Sequence, residues 1–270
     1  MSVIGSNALA GASGQGGGGF VIEKSLRFDS GGSANLKRTP SGQGSRTTFT
    51  FSCWAKRSTL AAYPVIFSAG SSSVSSGYFQ LSFEIGPAMA YIRHDNGTWA
   101  FTTNAQFRDT ASWYSIILSV DSSANNASDR LKLYINGVQQ TFTSSPTITQ
   151  DFNFEVNSTI EHHIGAGKSS SGQTSVYYDG YLADVQFIDG LALSASDLGE
   201  FNSNGVWVPI KYAGTYGTRG YHLDFADGND IGNDAEGSNN WTVNNFTATG
   251  GAVNYIDSIS GNPYIPSNAF

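Results

Sequence analysis

The sequence contains one cysteine, few charged residues and no long hydrophobic run. Only 13% of its 270 residues are charged, and the formal net charge is −7 at pH 7. A nucleic-acid groove needs clustered Lys and Arg to displace counterions, and no basic stripe of that kind occurs in the sequence. No apolar run reaches the roughly 20 residues that a membrane helix needs. We therefore expect neither nucleic-acid binding nor membrane insertion.

The single cysteine, Cys53, excludes an intramolecular disulfide framework and a cysteine-based zinc site. Cys53 alternates with Ser52 and Trp54 in a strand-like run, and free cysteine is among the most often buried residue types. We predict that it is buried in a strand. The first residues lack the positive segment and the continuous apolar run of a signal peptide, which predicts a protein made without secretion.

Shifts in composition divide the chain into three predicted parts. Residues 1–19 form an arm rich in Gly, Ala and Ser, and such a segment alone cannot offset the entropy of being ordered. Residues 20–225 are a succession of short strand-like runs separated by Gly, Ser and Asn turns. Residues 226–270 hold few residues that can build a core, so we predict an appended segment that packs on the body or on a neighbour.

Alternation of apolar and polar residues predicts strands in the central part. In the run LKLYI at 131–135, three aliphatic residues alternate with Lys132 and Tyr134, so one face enters a core and the other faces water or a neighbour. Asn136-Gly137 then closes a hairpin, because a two-residue type I′ turn needs positive φ at both central positions. The run YFQLSFEI at 78–85 separates its two faces in the same way.

These patterns predict an all-β fold. We expect a two-sheet antiparallel β-sandwich of the jelly-roll type with extended N- and C-terminal segments. One short helix is predicted at Ser194 to Phe201, where Ser194 can cap the first turn and Asp197 occupies the position of a capping-box acid. We expect this helix to close one end of the sandwich.

Three stretches of the chain follow one another in a family-specific order. SLRFDSGGSANLKRTP leads into FTFSCWAKRS, WYSIILSVD precedes LKLYINGVQ, and YYDGYLADVQFIDGLALSASDLGEF comes last. They resemble the opening strands, the central hairpin, and the closing strand and helix of the laminin-G-like, concanavalin A-like jelly-roll superfamily. The resemblance covers about residues 23–201 and implies a concanavalin A-like jelly roll.

The segments on either side extend the resemblance over nearly the whole chain. The Gly-rich arm, the block VPIKYAGTYGTRGYHLDFADG and the continuation DIGNDAEGSNNWTVNNF resemble a group of predicted virion proteins of tailed bacteriophages, common among phages of marine bacteria. This implies a non-enzymatic structural protein of the virion, made in the host cytoplasm, as a tail-fibre or receptor-binding part or as a head decoration. It implies contacts with other capsid or tail proteins and a homo-oligomer, commonly a trimer in fibres; head decorations are commonly trimers too, or sit singly on capsomers.

Two other functions stay open beside the structural one. A carbohydrate-binding module that attaches the particle to host-surface polysaccharide is the first alternative, and a glycan hydrolase is the second. Hydrolases of this superfamily that are similar to the chain carry Glu-x-Asp-x-x-Glu on one strand, and that pattern does not occur here. The nearest substitute is Asp179, Asp184 and Asp189, whose five-residue spacing places successive side chains on opposite faces of a regular strand. We therefore expect no catalytic residues.

Metal binding through histidine is not expected, because His162 and His163 are adjacent and point to opposite faces of a strand. Calcium is the one cofactor to consider, since some members of the superfamily bind it at a loop edge. Two loops rich in Asp and Asn have the right atoms, but neither fits the EF-hand rule: in the second, Ile231 stands at the fifth position and Ser238 at the twelfth. Asx-turns are the alternative role for both loops. The candidate ligands are Asp121, Asn125 and Asp129 in the first loop and Asp227, Asn229, Asp230 and Asp234 in the second.

The turn RHDNGTW is the candidate glycan-binding site. Sugar sites pair an aromatic platform with amide and carboxylate groups. The turn supplies His94, Asp95, Asn96 and Trp99, with Tyr91 on the strand that leads into it. The alternative is that Trp99 crosses into the core, because large aromatic residues are buried on average. The sequence therefore places function in the loops and the two ends of the sandwich.

Overall fold

The computed structural model describes residues 20–60, 64–73, 76–84, 90–94, 99–168, 174–246 and 256–258. Within these residues the chain forms two eight-stranded sheets and two separate two-stranded hairpins, with antiparallel pairing throughout. The strands are β1 Lys24–Phe28, β2 Asn35–Arg38, β3 Thr48–Arg57, β4 Val65–Ser73, β5 Ser76–Phe83, β6 Ala90–His94, β7 Trp99–Thr103, β8 Tyr114–Asp121, β9 Leu131–Ile135, β10 Val138–Gln139, β11 Phe142–Ser144, β12 His162–Ile164, β13 Ala166–Lys168, β14 Thr174–Tyr177, β15 Gly180–Asp189, β16 Gly199–Phe201, β17 Trp207–Pro209, β18 Tyr221–Leu223, β19 Thr242–Asn244 and β20 Ile256–Ser258.

The two large sheets pack face to face. Sheet I has the strand order β10-β9-β8-β3-β15-β1-β20, and β18 also pairs with β15. Sheet II has the order β11-β7-β6-β5-β4-β12-β2-β19. Alternate side chains of both sheets meet in one core, where the ring of Phe51 in sheet I stacks on the ring of Phe67 in sheet II at 4.6 Å between centroids. The predicted two-sheet antiparallel sandwich is confirmed.

The central hairpin has the predicted form. Strand β9 alternates buried and half-buried residues, and the turn residues Asn136 and Gly137 have φ angles of 49° and 76°. Asn136 Oδ1 accepts the backbone N–H of Ser115 at 2.8 Å, which fastens the turn to β8. Cys53 is fully buried in β3 as predicted, and burial raises the pKa of its thiol well above the ordinary value.

The helix predicted at 194–201 is wrong in length. Ser194 and Asp197 form the predicted capping box, but it closes only a three-residue 3₁₀ helix, Ala195–Asp197. Strand β16 begins at Gly199 and pairs with β17. This pairing provides the backbone hydrogen bonds of residues 199–201 that a further helical turn would otherwise provide.

The same segment covers a face of the sandwich instead of closing an end. Trp54 and Ile117 point away from the main core and are buried beneath Leu198 and Trp207, which form a second apolar cluster with them. Tyr134, one of the two outward residues of β9, packs at the margin of this cluster. The outward face of β9 therefore contacts the chain's own segment 194–212 at Tyr134.

The face of β5 opposite the core is also buried. Tyr78 O–H donates to Gln80 Oε1 at 2.8 Å, and Gln80 Nε2 donates to Ser82 Oγ at 2.9 Å. The alternate residues of β5 enter the core as predicted, with Ile85 lying outside the described residues. Because the three polar side chains satisfy one another, this face can be buried at little cost.

The C-terminal segment adds edge strands to both sheets. Strand β19 pairs with β2, and β20 pairs with β1. Trp241 is buried in the main core, with its ring 5.0 Å from that of Tyr221 in a T-shaped contact. Throughout the described ranges, no helix has the length and apolar character that crossing a membrane would require.

Candidate binding site

A β-bulge in β15 directs polar side chains to the outer face of sheet I. The register between β15 and β3 shifts between Ala183 and Gln186, so Asp184 and Val185 together face one residue of β3. Asp184 has a φ of 48°, a left-handed conformation that Asp tolerates better than most residues. The extra residue resets the alternation. Val185 enters the core, and Asp184 lies on the same outer side as Gln186.

Strand β18 brings His222 to this bulge. The pairing of β18 with β15 sets His222 directly opposite Gln186. His222 Nε2 donates to Asp184 Oδ1 at 2.7 Å, and Gln186 Nε2 donates to Asp184 Oδ2 at 2.7 Å. Tyr216 O–H donates to Gln186 Oε1 at 2.9 Å, and its ring lies parallel to the imidazole with 5.8 Å between centroids. One connected network therefore joins four side chains from residues 184 to 222.

The network changes the acidity of two of its members. Burial lowers the pKa of His222, but the hydrogen bond and the negative charge of Asp184 outweigh burial and hold that pKa above its ordinary value. Burial raises the pKa of Tyr216, so its hydroxyl stays protonated. The His222 residue is only 8% exposed. Its protonated form is therefore stabilised by Asp184 and not by water.

A cavity of about 300 Å³ opens beside the Asp184–His222 pair. The segment Phe20–Ile22 supplies an apolar wall. Charged side chains line the remainder, with Glu23, Lys211 and Glu236 exposed and Lys24 and Asp224 half-buried. The cavity thus combines an apolar surface with carboxylates and ammonium groups, as small-ligand pockets commonly do.

An open groove of about 580 Å³ adjoins the cavity, and Glu236 lines both. Besides Glu236, the lining consists of Tyr216, glycines and small polar residues: Thr215, Thr218, Ser238 and Asn239. Asn239 Nδ2 donates to the carbonyl oxygen of Gly220 at 2.7 Å. The amide is therefore fixed in place and holds the two walls of the groove together.

Asp234, a predicted calcium ligand, organises the loop between cavity and groove. Its Oδ1 accepts the backbone N–H of His222 at 3.0 Å and that of Glu236 at 3.2 Å. Its Oδ2 accepts the N–H of Asn239 at 3.0 Å. The residue is 4% exposed. One buried carboxylate thus positions one residue of the cavity, one of the groove and the residue that they share.

The other predicted ligands of this loop form exposed turns. Asp227 Oδ1 accepts the N–H of Asn229 at 2.9 Å, which is an Asx-turn. The N–H of Asp230 donates to the carbonyl oxygen of Asp227 at 3.2 Å. In the part of the chain that the structure describes, no three His, Cys, Asp or Glu side chains come together as a metal site. Calcium binding at this loop stays a prediction.

In the first predicted calcium loop, a guanidinium group binds two of the backbone carbonyl oxygens. Arg130 is 8% exposed, and its Nε donates to Ala124 O at 2.9 Å. Its Nη1 donates to Ile148 O at 2.7 Å and its Nη2 to Asn125 O at 3.1 Å. A cation of the chain itself therefore occupies backbone oxygens that a calcium ion would use.

The carboxylates of this loop have partners of their own. Asp121 Oδ1 accepts the N–H of Ser123 at 3.1 Å, again an Asx-turn. Asp129 Oδ1 lies 3.0 Å from Lys132 Nζ. Calcium at this loop also stays a prediction, and thermal melting in millimolar calcium against excess chelator tests both loops at once.

The predicted glycan site falls only partly within the described residues. Asp95 and Asn96 lie outside them. Tyr91 is half-buried in β6, opposite Ser82 of β5. His94 ends β6 and pairs in register with Trp99, the first residue of β7. Glycan binding at this turn stays a prediction.

The three aspartates considered for hydrolysis have separate partners. Asp179 forms an ion pair with Arg27 at 2.7 Å. Asp189 Oδ1 accepts the N–H of Ser45 at 2.8 Å, and its Oδ2 accepts the N–H of Arg219 at 3.0 Å. The strand is not regular at Asp184, because the β-bulge shifts the alternation of side chains there, contrary to the prediction.

The two adjacent histidines point to opposite faces, as predicted. His162 Nδ1 donates to Ile160 O and its Nε2 accepts the N–H of Asn157, at 2.8 and 2.9 Å. Burial lowers the pKa of His162 to about 4, so the ring is neutral. His163 lies on the other face, with its Nε2 2.8 Å from Glu161. Both rings serve packing and hydrogen bonding within the fold.

Sequence reasoning missed the Asp184–His222 pair. The two residues are 38 positions apart and neither lies in a recognisable motif. The sequence draws attention to each residue separately: Asp184 is one of three aspartates at five-residue spacing, and His222 lies in the block VPIKYAGTYGTRGYHLDFADG. Pairing of β18 with β15 beside the bulge is what brings the two side chains together.

Comparisons with known proteins agree with this architecture. Residues 29–199 match the family described as the concanavalin A-like lectin/glucanases superfamily. Among curated proteins, none matches this chain in sequence. The chain is similar to the structure of a candidate carbohydrate binding protein from Bacteroides ovatus, with 18% identity and a TM-score of 0.61 over 89% of this chain and 61% of that one. The chain therefore spans about three fifths of the length of that protein.

Two further solved structures show a more distant likeness. Domains LG4-5 of the mouse laminin alpha1 chain share 15% identity at a TM-score of 0.42, over 72% of this chain and 47% of that one. The CBM40 of the Ruminococcus gnavus IT-sialidase shares 15% identity at a TM-score of 0.42, over 64% of this chain and 95% of that one. Since the family match extends over more than half of the sequence, the chain belongs to the concanavalin A-like lectin/glucanases superfamily.

Proposed function

We propose that this chain is a non-catalytic jelly-roll domain that binds carbohydrate. The observation that carries the proposal is the cavity beside Asp184 and His222, where an apolar wall faces carboxylates and ammonium groups that can bond sugar hydroxyls. The fold shared with the Bacteroides ovatus protein, itself a candidate carbohydrate binder, supports it.

The burial and the contacts of Asp184 and His222 support binding without hydrolysis. Asp184 is only 4% exposed, and its two oxygens accept hydrogen bonds from His222 and Gln186, so the carboxylate is held within the fold and away from a bound sugar. The Nδ1 atom of His222 is buried and has no hydrogen-bond partner among the described residues. It therefore lies out of reach of a substrate proton, which a general base must contact.

A glycan array probed with the purified protein tests the proposal. We expect retention of a defined group of glycans, confirmed by calorimetry, and no release of reducing ends from the glycans that bind. Retention of no glycan would refute binding, and release of reducing ends would refute the non-catalytic assignment. Lys211→Ala and Trp99→Ala then separate the cavity from the predicted turn, with Glu200→Gln, an exposed carboxylate on β16, as the control.

We also propose that the domain acts in the particle of a tailed bacteriophage, as a tail-fibre or receptor-binding part or as a head decoration. The support is the resemblance of the arm and of the C-terminal block to virion proteins. Residues 214–218, 220 and 236–239, which line the groove, belong to the stretches that carry this resemblance. Binding of host-surface polysaccharide there would attach the particle to a cell.

Antibody labelling of intact particles under the electron microscope tests the virion role. Label at the tail tip identifies a receptor-binding part, and label over the capsid identifies a head decoration. Purified particles that lack the chain would refute the role. The predicted homo-oligomer is measured on the full chain by analytical ultracentrifugation, where a trimer is the expected species.

A further inference from the structure

The charges around the cavity are unbalanced. Four carboxylates line it, those of Glu23, Asp184, Asp224 and Glu236, and two ammonium groups, so the lining carries two excess negative charges. Protonation of His222 offsets one of them. The lining therefore keeps a net negative charge whether the imidazole is neutral or protonated.

The hydrogen-bonding groups of the lining, like its charge, favour a neutral ligand over an anionic one. A carboxylate only accepts hydrogen bonds, whereas a sugar hydroxyl both donates and accepts. Glu23 and Glu236 are exposed at the mouth, so each can accept from one or two hydroxyls. Lys24 and Lys211 can donate to hydroxyl or ring oxygens. A sulfate or carboxylate group offers acceptors only, so wherever it replaces a hydroxyl it removes a donor for the carboxylates of the cavity.

The volume limits how much of a glycan can enter. A cavity of about 300 Å³ lies at the lower limit of ligand pockets, which span roughly 300–1,000 Å³. One sugar unit fills a space of this order. The apolar wall at Phe20–Ile22 can pack against the C–H face of such a unit. The adjoining groove leaves room for the next unit outside the cavity.

We infer that this cavity takes a single neutral sugar unit, at a chain end or branch of a glycan, and discriminates against glycans that carry sulfate or carboxylate groups. The inference rests on the proposed carbohydrate-binding function and names the ligand class of the same site. Discrimination arises from electrostatic repulsion and from the shortage of donors on an anionic ligand. Because the carboxylates at the mouth are exposed, the repulsive part is screened by salt.

Calorimetry with matched oligosaccharides tests the inference on the full chain. The neutral probes are oligosaccharides of galactan, mannan and glucan. The anionic probes are oligogalacturonate and a sulfated galactan oligosaccharide of the same length. We expect the anionic probes to bind at least about tenfold more weakly at low ionic strength, which is the effect of roughly one unit charge near the excess negative charge. The ratio is expected to shrink in high salt.

Glu236→Gln is the diagnostic variant, with Glu200→Gln as its matched control. Glu236→Gln removes one of the excess charges, so the ratio between neutral and anionic probes should fall several-fold, whereas Glu200→Gln should leave it unchanged. Both side chains are exposed, and equal thermal melting checks that the fold is intact. Lys211→Ala should weaken all neutral probes together.

Each outcome bears on a different claim. Tighter binding of an anionic probe, or neutral binding that neither Glu236→Gln nor Lys211→Ala alters, would refute the inference and leave carbohydrate binding in place. If no glycan binds on the array or in the calorimeter, the proposed function itself is refuted. Equal affinity for neutral and anionic probes would refute the discrimination.

Discussion

Replacement of Asp184 tests whether the buried network holds the outer face of sheet I together. In Asp184→Ala, His222 and Gln186 each lose a charged acceptor at 2.7 Å. Hydrogen bonds to charged groups contribute about 1.5–3 kcal/mol each, and breaking a buried ionic pair costs about 3–5 kcal/mol. Alanine also tolerates the φ of 48° poorly, which adds about 1 kcal/mol. We expect a loss of about 4 kcal/mol in the free energy of unfolding.

Asp184→Asn separates the charge from the shape. Asparagine keeps the side-chain outline, tolerates a left-handed backbone and can still accept one hydrogen bond, so the expected loss is about 2 kcal/mol. Urea unfolding followed by tryptophan fluorescence should show a midpoint lower by about 1 M, given a slope of about 2–3 kcal/mol/M. Glu200→Gln, which changes an exposed carboxylate outside the network, is the control and should leave the midpoint unchanged.

The dependence on pH gives a second measurement of the same pair. The pKa of His222 is raised in the folded protein, so the extra stability is fully present below the unfolded pKa of about 6.5 and is lost as pH rises through the folded value. Asp184→Asn should remove this pH dependence and lower the imidazole pKa in an NMR titration. An unfolding midpoint within experimental error of wild type, with an unchanged His222 titration, would refute the assigned network.

Three further outcomes follow from buried groups and close contacts. Burial lowers the pKa of His162 to about 4, so the free energy of unfolding should fall by up to about 3 kcal/mol as pH drops from about 6.5 toward 4. Urea midpoints measured across that range test this, and His162→Gln should reduce the dependence of the midpoint on pH. Gly137 and Gly190 both have positive φ, but only a Cβ at Gly137 meets the Trp207 ring, at 2.2 Å, while nothing lies within 4 Å at Gly190. Gly137→Ala should therefore cost about 2–4 kcal/mol and Gly190→Ala about 1, and equal costs would contradict the packing. Cys53 should not react with Ellman's reagent until the chain unfolds, because its thiol is buried and its pKa is raised; rapid native labelling would contradict its burial.

Several structural features were predictable because their causes are local. Alternation with period two placed Leu133 in the core and Tyr134 outside it, and Asn136-Gly137 specified the hairpin turn. The same pattern predicted the buried position of Cys53. Each of these depends on the backbone geometry of a few neighbouring residues, which the sequence displays directly.

The candidate ligands were harder to judge, because the partner of each oxygen lies elsewhere in the chain. Loop 121–129 has the composition of a cation site, yet its carbonyl oxygens bind Arg130, and Asp234 is occupied by backbone N–H groups from β18 and from its own loop. Composition shows which atoms are available. It does not show which hydrogen-bond donor binds each of those atoms in the folded chain.

The sequence by itself determined an all-β sandwich, the core-facing residues of its strands and its central hairpin, since periodicity and turn chemistry are properties of short segments. Only the tertiary structure decided where the candidate site lies. The bulge at Asp184 depends on the register between β15 and β3, and His222 reaches it through the pairing of β18, 38 residues away. Register is the result of many contacts summed over a whole sheet, so one extra residue can turn a carboxylate to the outer face without any local signal.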